Sequence, residues 1–188
     1  MLTGTGARFA AAAEGAVLEQ AHRLRNEIVS GITDQAPGGR SLAEPSELTL
    51  ARRRLLGFRG TKSLLVRADL RNSVSVIKRG DTVFVGIARS AKSRDDEDLV
   101  DIASVQEFGS NPIVIPITPA MRRFLGALFR EAGRTPEPGA GSGAGVVVVQ
   151  VPARPFLRPA MAAFSRDLDA RLAASVLRRF LNGGPRGV

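Results

Sequence analysis

The stretch Val151-Pro152-Ala153-Arg154-Pro155-Phe156-Leu157-Arg158-Pro159-Ala160-Met161 constrains this chain more than any other. Prolines at 152, 155 and 159 fix φ and remove three backbone donors, so the segment is extended and stiff and cannot be an ordinary strand. Val146-Val147-Val148-Val149 before it is β-branched and reads as a strand. After it, Pro159 opens a helix over 159–181 whose apolar residues Met161, Phe164, Leu168, Leu172, Val176 and Phe180 recur at three and four. The order is strand, rigid elbow, helix. Such an elbow can be a corner that seats the last helix, or a contact that points Arg154, Phe156 and Arg158 at a partner.

The rest of the chain supplies elements for that elbow to join. Residues 7–30 read as a helix with the stripe Phe9, Ala13, Val17, Ala21, Leu24, Ile28 and Ile32. A short basic helix spans 46–57, with Ser46 as N-cap, Gly57 as stop and Leu48, Ala51 and Leu55 facing inward. Residues 73–87 read as a hairpin turning at Arg79-Gly80. A helix over 99–108 carries Leu99, Ile102, Val105 and Phe108 at intervals of three and stops at Gly109. The segment 111–117 is apolar, and Pro112 and Pro116 demote it to an edge strand. Thr118 then caps a helix with Pro119 at its first position, Met121, Phe124, Leu125, Leu128 and Phe129 on one face and Arg122, Arg123 and Arg130 on the other. Residues 134–145 form a flexible Gly/Pro-rich connector.

This order implies a single α+β domain over 1–188. Strands near 73–78, 82–87, 112–117 and 146–151 form one small antiparallel sheet, the long N- and C-terminal helices pack on it, and 111–145 is inserted as a helical arm plus connector. Short strands and edge prolines leave edges for a neighbour.

Composition narrows the function. Cysteine is absent and His22 is the one histidine, beside Arg23 and three residues before Arg25, so thiolate chemistry and zinc–sulfur sites are excluded and a general base has no orienting partner. No apolar run approaches a membrane span, and Arg8 and Glu14 interrupt anything resembling a signal peptide. No cofactor is expected. The net charge is +9, and between Arg52 and Arg79 nine residues are basic (Arg52, Arg53, Arg54, Arg59, Lys62, Arg67, Arg71, Lys78, Arg79) against Asp69 alone. That block suits nucleic-acid phosphates or an acidic partner. The segment 95–107 is acidic, so opposite charges could pair between copies in a head-to-tail ring. A carboxylate-dependent nuclease using Asp95, Asp96 or Asp98 with magnesium, and a sequence-nonspecific DNA-binding module, are the competing classes.

Five short motifs occur in one order: Leu48-Thr49-Leu50-Ala51-Arg52 with Gly60-Thr61-Lys62-Ser63-Leu64-Leu65; Asp69-Leu70-Arg71-Asn72-Ser73-Val74; Val105-Gln106-Glu107-Phe108-Gly109; the Pro-Ile-Thr-Pro-Ala-Met-Arg-Arg run from Pro116; and Pro152 to Ala160. Together they resemble the virion-morphogenesis (tail-completion) proteins of tailed bacteriophages. The chain departs from that pattern at Ala68, where the family often has Gly, and lacks a Trp common near Arg40-Ser41-Leu42. The resemblance implies a structural neck protein of the virion, assembled in the host cytoplasm, and no enzyme. It implies a homo-oligomeric ring, a hexamer, between a head connector or stopper protein and a tail-tube or sheath protein, with genomic DNA passing through the lumen. A tail terminator capping tube growth is the variant reading. On this view Arg154, Pro155, Phe156, Leu157, Arg158, Glu107 and Phe108 form the partner or subunit interface, with Phe156 and Arg158 locking the last helix or a neighbour. Arg52, Arg53, Arg54, Arg59 and Lys62 face DNA or an acidic partner.

Overall fold

The computed structural model describes residues 2–134 and 145–182. The chain runs α1 (Leu2–Asp34), α2 (Glu47–Leu55), α3 (Asp69–Ser73), β1 (Val74–Arg79), β2 (Thr82–Ile87), α4 (Leu99–Phe108), β3 (Ile113–Pro116), α5 (Pro119–Glu131), β4 (Val146–Val149), α6 (Leu157–Phe164) and α7 (Leu168–Asn182). The class is α+β, as expected. Most of the expected connector, 135–144, lies outside the described residues.

The single four-stranded sheet is corrected. β1 pairs only with β2 and β3 only with β4, giving two separate antiparallel hairpins. The first turns through Gly80 and Asp81, with Arg79 opposite Thr82. The second joins strands that flank the 119–131 insertion, with Ile113 opposite Val149 and Pro116 opposite Val146. The first hairpin is packed by α1 on one side, with Val74 and Ile87 buried. The second keeps Ile113, Val114, Val146 and Val148 exposed, so no apolar layer draws the two hairpins into one sheet.

α1 extends past the expected helix at both ends. It buries Ala12, Ala16, Ala21, Leu24, Ile28 and Ile32, while Phe9 and Val17 remain exposed. Its partner along most of its length is the C-terminal helical segment. That segment is two helices, not one: a 3-10 turn at Ser165–Asp167 divides α6 from α7. The core joins α1 to Leu70, Val74, Ile87, Leu99, Ala103, Phe156, Ala160 and Phe164. Phe156, at the elbow, is fully buried and sits in this core.

α2 and α5 pack on each other away from that core. Ser46 caps α2 by accepting the Thr49 N–H at 3.3 Å, and Thr118 caps α5 by accepting the Met121 N–H at 3.2 Å. Ala51 and Leu128 are buried in this pair, whereas Leu55, expected inside, is exposed. A helix of five residues, α3, was not expected. It starts after Ala68 in the left-handed region at φ 61°, a conformation that only glycine adopts without strain.

Candidate functional site

The motif segments 105–109 and 152–160 meet in space. α6 starts with Phe156 at the N-cap, a side chain that cannot accept a hydrogen bond from the first-turn N–H groups. The acceptor comes from elsewhere. The Glu107 carboxylate, on the last turn of α4, lies across the start of α6. Its Oε2 accepts from the backbone N–H of Phe156 at 2.8 Å and of Leu157 at 3.0 Å. Its Oε1 accepts from the Arg158 N–H and from Arg158 Nε, both at 3.0 Å. Arg158 Nη2 also donates to the Glu107 carbonyl oxygen at 2.9 Å, and its guanidinium lies 4.8 Å from the centre of the Phe108 ring. One residue thus satisfies three first-turn donors and places a full negative charge at the positive end of a helix.

The electrostatics follow from this geometry. Burial pushes the Glu107 carboxyl up, but the N–H groups of Leu157, Phe156 and Arg158 and the Arg158 guanidinium outweigh it and hold the group below its ordinary value. Glu107 is 4% exposed at its side chain and Arg158 62%, so the pair is buried at one end and open to solvent at the other.

The surrounding backbone locks the node. Arg154 N–H donates to the Gln106 carbonyl at 2.6 Å, and Ser110 N–H donates to the Val151 carbonyl at 3.0 Å. Gly109 ends α4 at φ 81°, and a Cβ there would stand 3.1 Å from the Val151 carbonyl oxygen. Gly38, at φ 58°, passes so close to the start of α6 that a Cβ would lie 2.1 Å from the Pro159 carbonyl oxygen. The glycine of the first motif therefore serves the approach of the second, and the elbow seats the last helices as a corner does.

This alters the reading of α4. Its buried line is Leu99, Ala103 and Glu107, four apart, whereas the expected line ended on Phe108, which is 66% exposed. Of the residues expected at a partner or subunit interface, Glu107 and Phe156 are inside the protein, Pro155 and Leu157 are half-buried, and Phe108 and Arg158 reach the surface as a stacked pair. Arg154 is half-buried and donates to the carbonyls of Ala43 at 3.1 Å and Glu44 at 3.4 Å. The cap was legible in one respect: a helix opening on Phe-Leu-Arg-Pro with no Ser, Thr, Asp or Asn before it leaves its first N–H groups to a remote acceptor or to water.

The basic block divides in the structure. Arg53 donates to the carbonyls of Gly60 at 3.0 Å and Lys62 at 2.8 Å. Burial, and then the neighbouring Arg154 charge, pull the Arg53 guanidinium below its ordinary value. Lys62 Nζ donates to the Thr33 carbonyl at 2.8 Å, tying the loop to the end of α1. Arg54 Nε meets Glu131 of α5 at 2.6 Å. Arg52 and Arg59 are exposed and make no hydrogen bond or ion pair among the described residues. Of the charges expected to pair between copies, Arg67 meets Asp95 within the chain at 2.5 Å, while Asp98 is held by Lys92 at 2.8 Å and Asp69 by Arg94 at 3.4 Å. Asp95 and Asp98 therefore each hold a cation already, and among the described residues no three ligating side chains converge.

Glu19 is a second hub that sequence reading missed. It accepts from Ser175 Oγ at 2.7 Å, from Arg178 at 2.6 Å and from Arg179 at 3.0 Å, joining α1 to α7. The Ser175 hydroxyl, then the two guanidinium groups, bring its carboxyl down to about 2. An open apolar cleft of about 570 Å³ lies at the same helix pair, lined by Phe9, Leu172, Val176, Leu177 and Phe180. No helix among the described residues is long and apolar enough to cross a membrane.

The fold and the node define an α+β protein in which the segments 105–109 and 152–160 together build a helix cap. Comparison with protein-family models, with characterised proteins and with solved structures returned no match.

Proposed function

We propose that this chain is a structural neck protein of a tailed-phage virion, forming a homo-oligomeric ring that joins tail to head and lets DNA pass. The observation that carries the reading is the meeting of two motifs about fifty residues apart in one node, where Glu107 caps α6 and Gly109 admits the elbow. Two of the five motifs on which the resemblance rests thus belong to one structural unit. The exposed valines of the β3–β4 hairpin and the apolar cleft on α7 supply surfaces for neighbours of the kind a ring requires. On this reading the partners are further copies of the chain, a head connector or stopper, a tail-tube or sheath protein and the genome. The exposed Phe108–Arg158 pair is the part of the node open to a neighbour.

The test is electron microscopy of a lysate in which this gene alone is disrupted. Full heads beside free tails of normal length are the expected result. Tails of uncontrolled length would make the protein a terminator of tube growth. Normal infectious particles would remove the neck assignment altogether.

A further inference from the structure

The chain's positive charge is unevenly placed. The segments 47–59 and 119–134, which hold α2 and α5, carry eight arginines, no lysine and two glutamates, a net +6 out of the chain's +9. One of those glutamates, Glu131, is bound by Arg54. Arg123 and Arg130 are exposed on α5, seven residues apart. That spacing puts them on one line along the helix, about 10.5 Å apart. By the same period Met121, Leu125 and the buried Leu128 fall on the opposite side. Gly126 and Ala127 lie beside the arginine line, Phe129 is half-buried, and Phe124 is exposed about a quarter-turn round the helix from that line. Arg52 and Arg59 are exposed on α2 and just after it.

We propose that this outer face of the α2–α5 pair, centred on Arg123 and Arg130, binds the phosphate backbone of duplex DNA. Guanidinium forks match phosphate oxygens two at a time. A protein partner would call for an aromatic or aliphatic anchor in the middle of the contact, and the arginine line has only glycine and alanine beside it. Single strands would call for a succession of stacking rings, and α5 exposes Phe124 alone, off the arginine line. A phosphate backbone needs charge and close approach, and both are present. The contact is independent of base sequence. The proposal rests on the neck reading only for which DNA arrives.

The experiment measures binding of the purified full chain to a labelled random-sequence duplex between 50 and 200 mM salt. It compares wild type with the Arg123→Gln/Arg130→Gln variant and with Arg89→Gln/Arg166→Gln, which removes two exposed arginines elsewhere. Each lost phosphate contact lowers the slope of log affinity against log salt by about 0.9. The α5 variant is expected to lose about 1.8, so that this rise in salt weakens wild type about 12-fold more than the variant. The control variant keeps the wild-type slope, and circular dichroism of both variants matches wild type. No binding by wild type at 50 mM salt overturns the proposal. So does an unchanged slope in the α5 variant, an equal loss in the control, or an α5 variant that keeps full DNA affinity while failing to join heads to tails, which would mark a protein partner. Normal particles without the gene would sink the neck reading and leave the slope result standing.

Discussion

The body of the molecule and its α2–α5 arm handle charge in opposite ways. In the body, several cations are answered within the chain: Glu107 holds Arg158, Glu19 holds Arg178 and Arg179, and Glu14 holds Lys78. All the residues of the main buried cluster are there too. In the arm, Ala51 and Leu128 are the buried hydrophobic residues, and eight arginines face two glutamates. The arm combines a thin core with unneutralised charge, which leaves its surface available to a partner and its stability open to improvement by one.

Four changes would break or sharpen that contrast. The largest effect belongs to Glu107→Ala, which leaves the first-turn N–H groups of α6 and part of the Arg158 fork without their acceptor. Arg158 is open to solvent, so the cost comes from the orphaned N–H groups, at about 1–3 kcal/mol for each one left unsatisfied, read as a fall in the urea midpoint of the whole body. A loss under about 1 kcal/mol would show that water replaces the carboxylate and that the node is not structural. Leu128→Ala comes next, at about 2 kcal/mol for a truncated Leu at the edge of a small core. Here the contrast predicts locality: hydrogen exchange should quicken in α2 and α5 while α1 and α7 stay protected. Equal quickening in both would mean that the arm and body unfold together.

Acid separates the regions further. The carboxyls of Glu19, at about 2, and Glu107 lie below their unfolded values, near 4.3 for a glutamate. Their contribution is fully present above that unfolded value and is lost as pH falls through the folded ones. The thermal midpoint of the body should therefore drop between pH 4.3 and about 2, and Glu19→Gln should flatten that fall. An identical pH profile in the variant would remove Glu19 from the account. The smallest effect is Ala68→Gly. The left-handed conformation strains alanine by about 1–2 kcal/mol, and glycine gives back about 0.4–1 through the unfolded chain. The net gain is about 0–1.6 kcal/mol, and a loss of stability would show that Ala68 does not keep φ 61° in solution.

How much of this was readable beforehand depended on range. α4 and α5 and the two N-caps follow from spacing, Pro119, Ser46 and Thr118, all local signals. The elbow was legible because three prolines leave the backbone little choice. Its burial was not, since nothing near Phe156 says what covers it. α4 shows the limit most clearly. Periodicity of apolar residues selected Phe108 as inward and could not see that a carboxylate, Glu107, takes the buried position because a helix start lies against it. The single sheet failed for a related reason: four strand-like segments were identified, but pairing between the hairpins depends on packing that their sequences do not encode.

The sequence by itself determined the helices with clear periodicity or caps, the hairpin turn, the rigid strand–elbow–helix order, the lack of cysteine and the excess of arginine. These depend on neighbours within a few residues, or on composition alone. Tertiary structure alone decided that Glu107 caps α6 from fifty residues away, that Glu19 ties α7 to α1, and that α5 lies on α2 and gathers six net positive charges there. The physical reason is that unsatisfied N–H groups and unpaired charges act on whatever folding brings within about 3 Å of them, and distance along the chain does not enter.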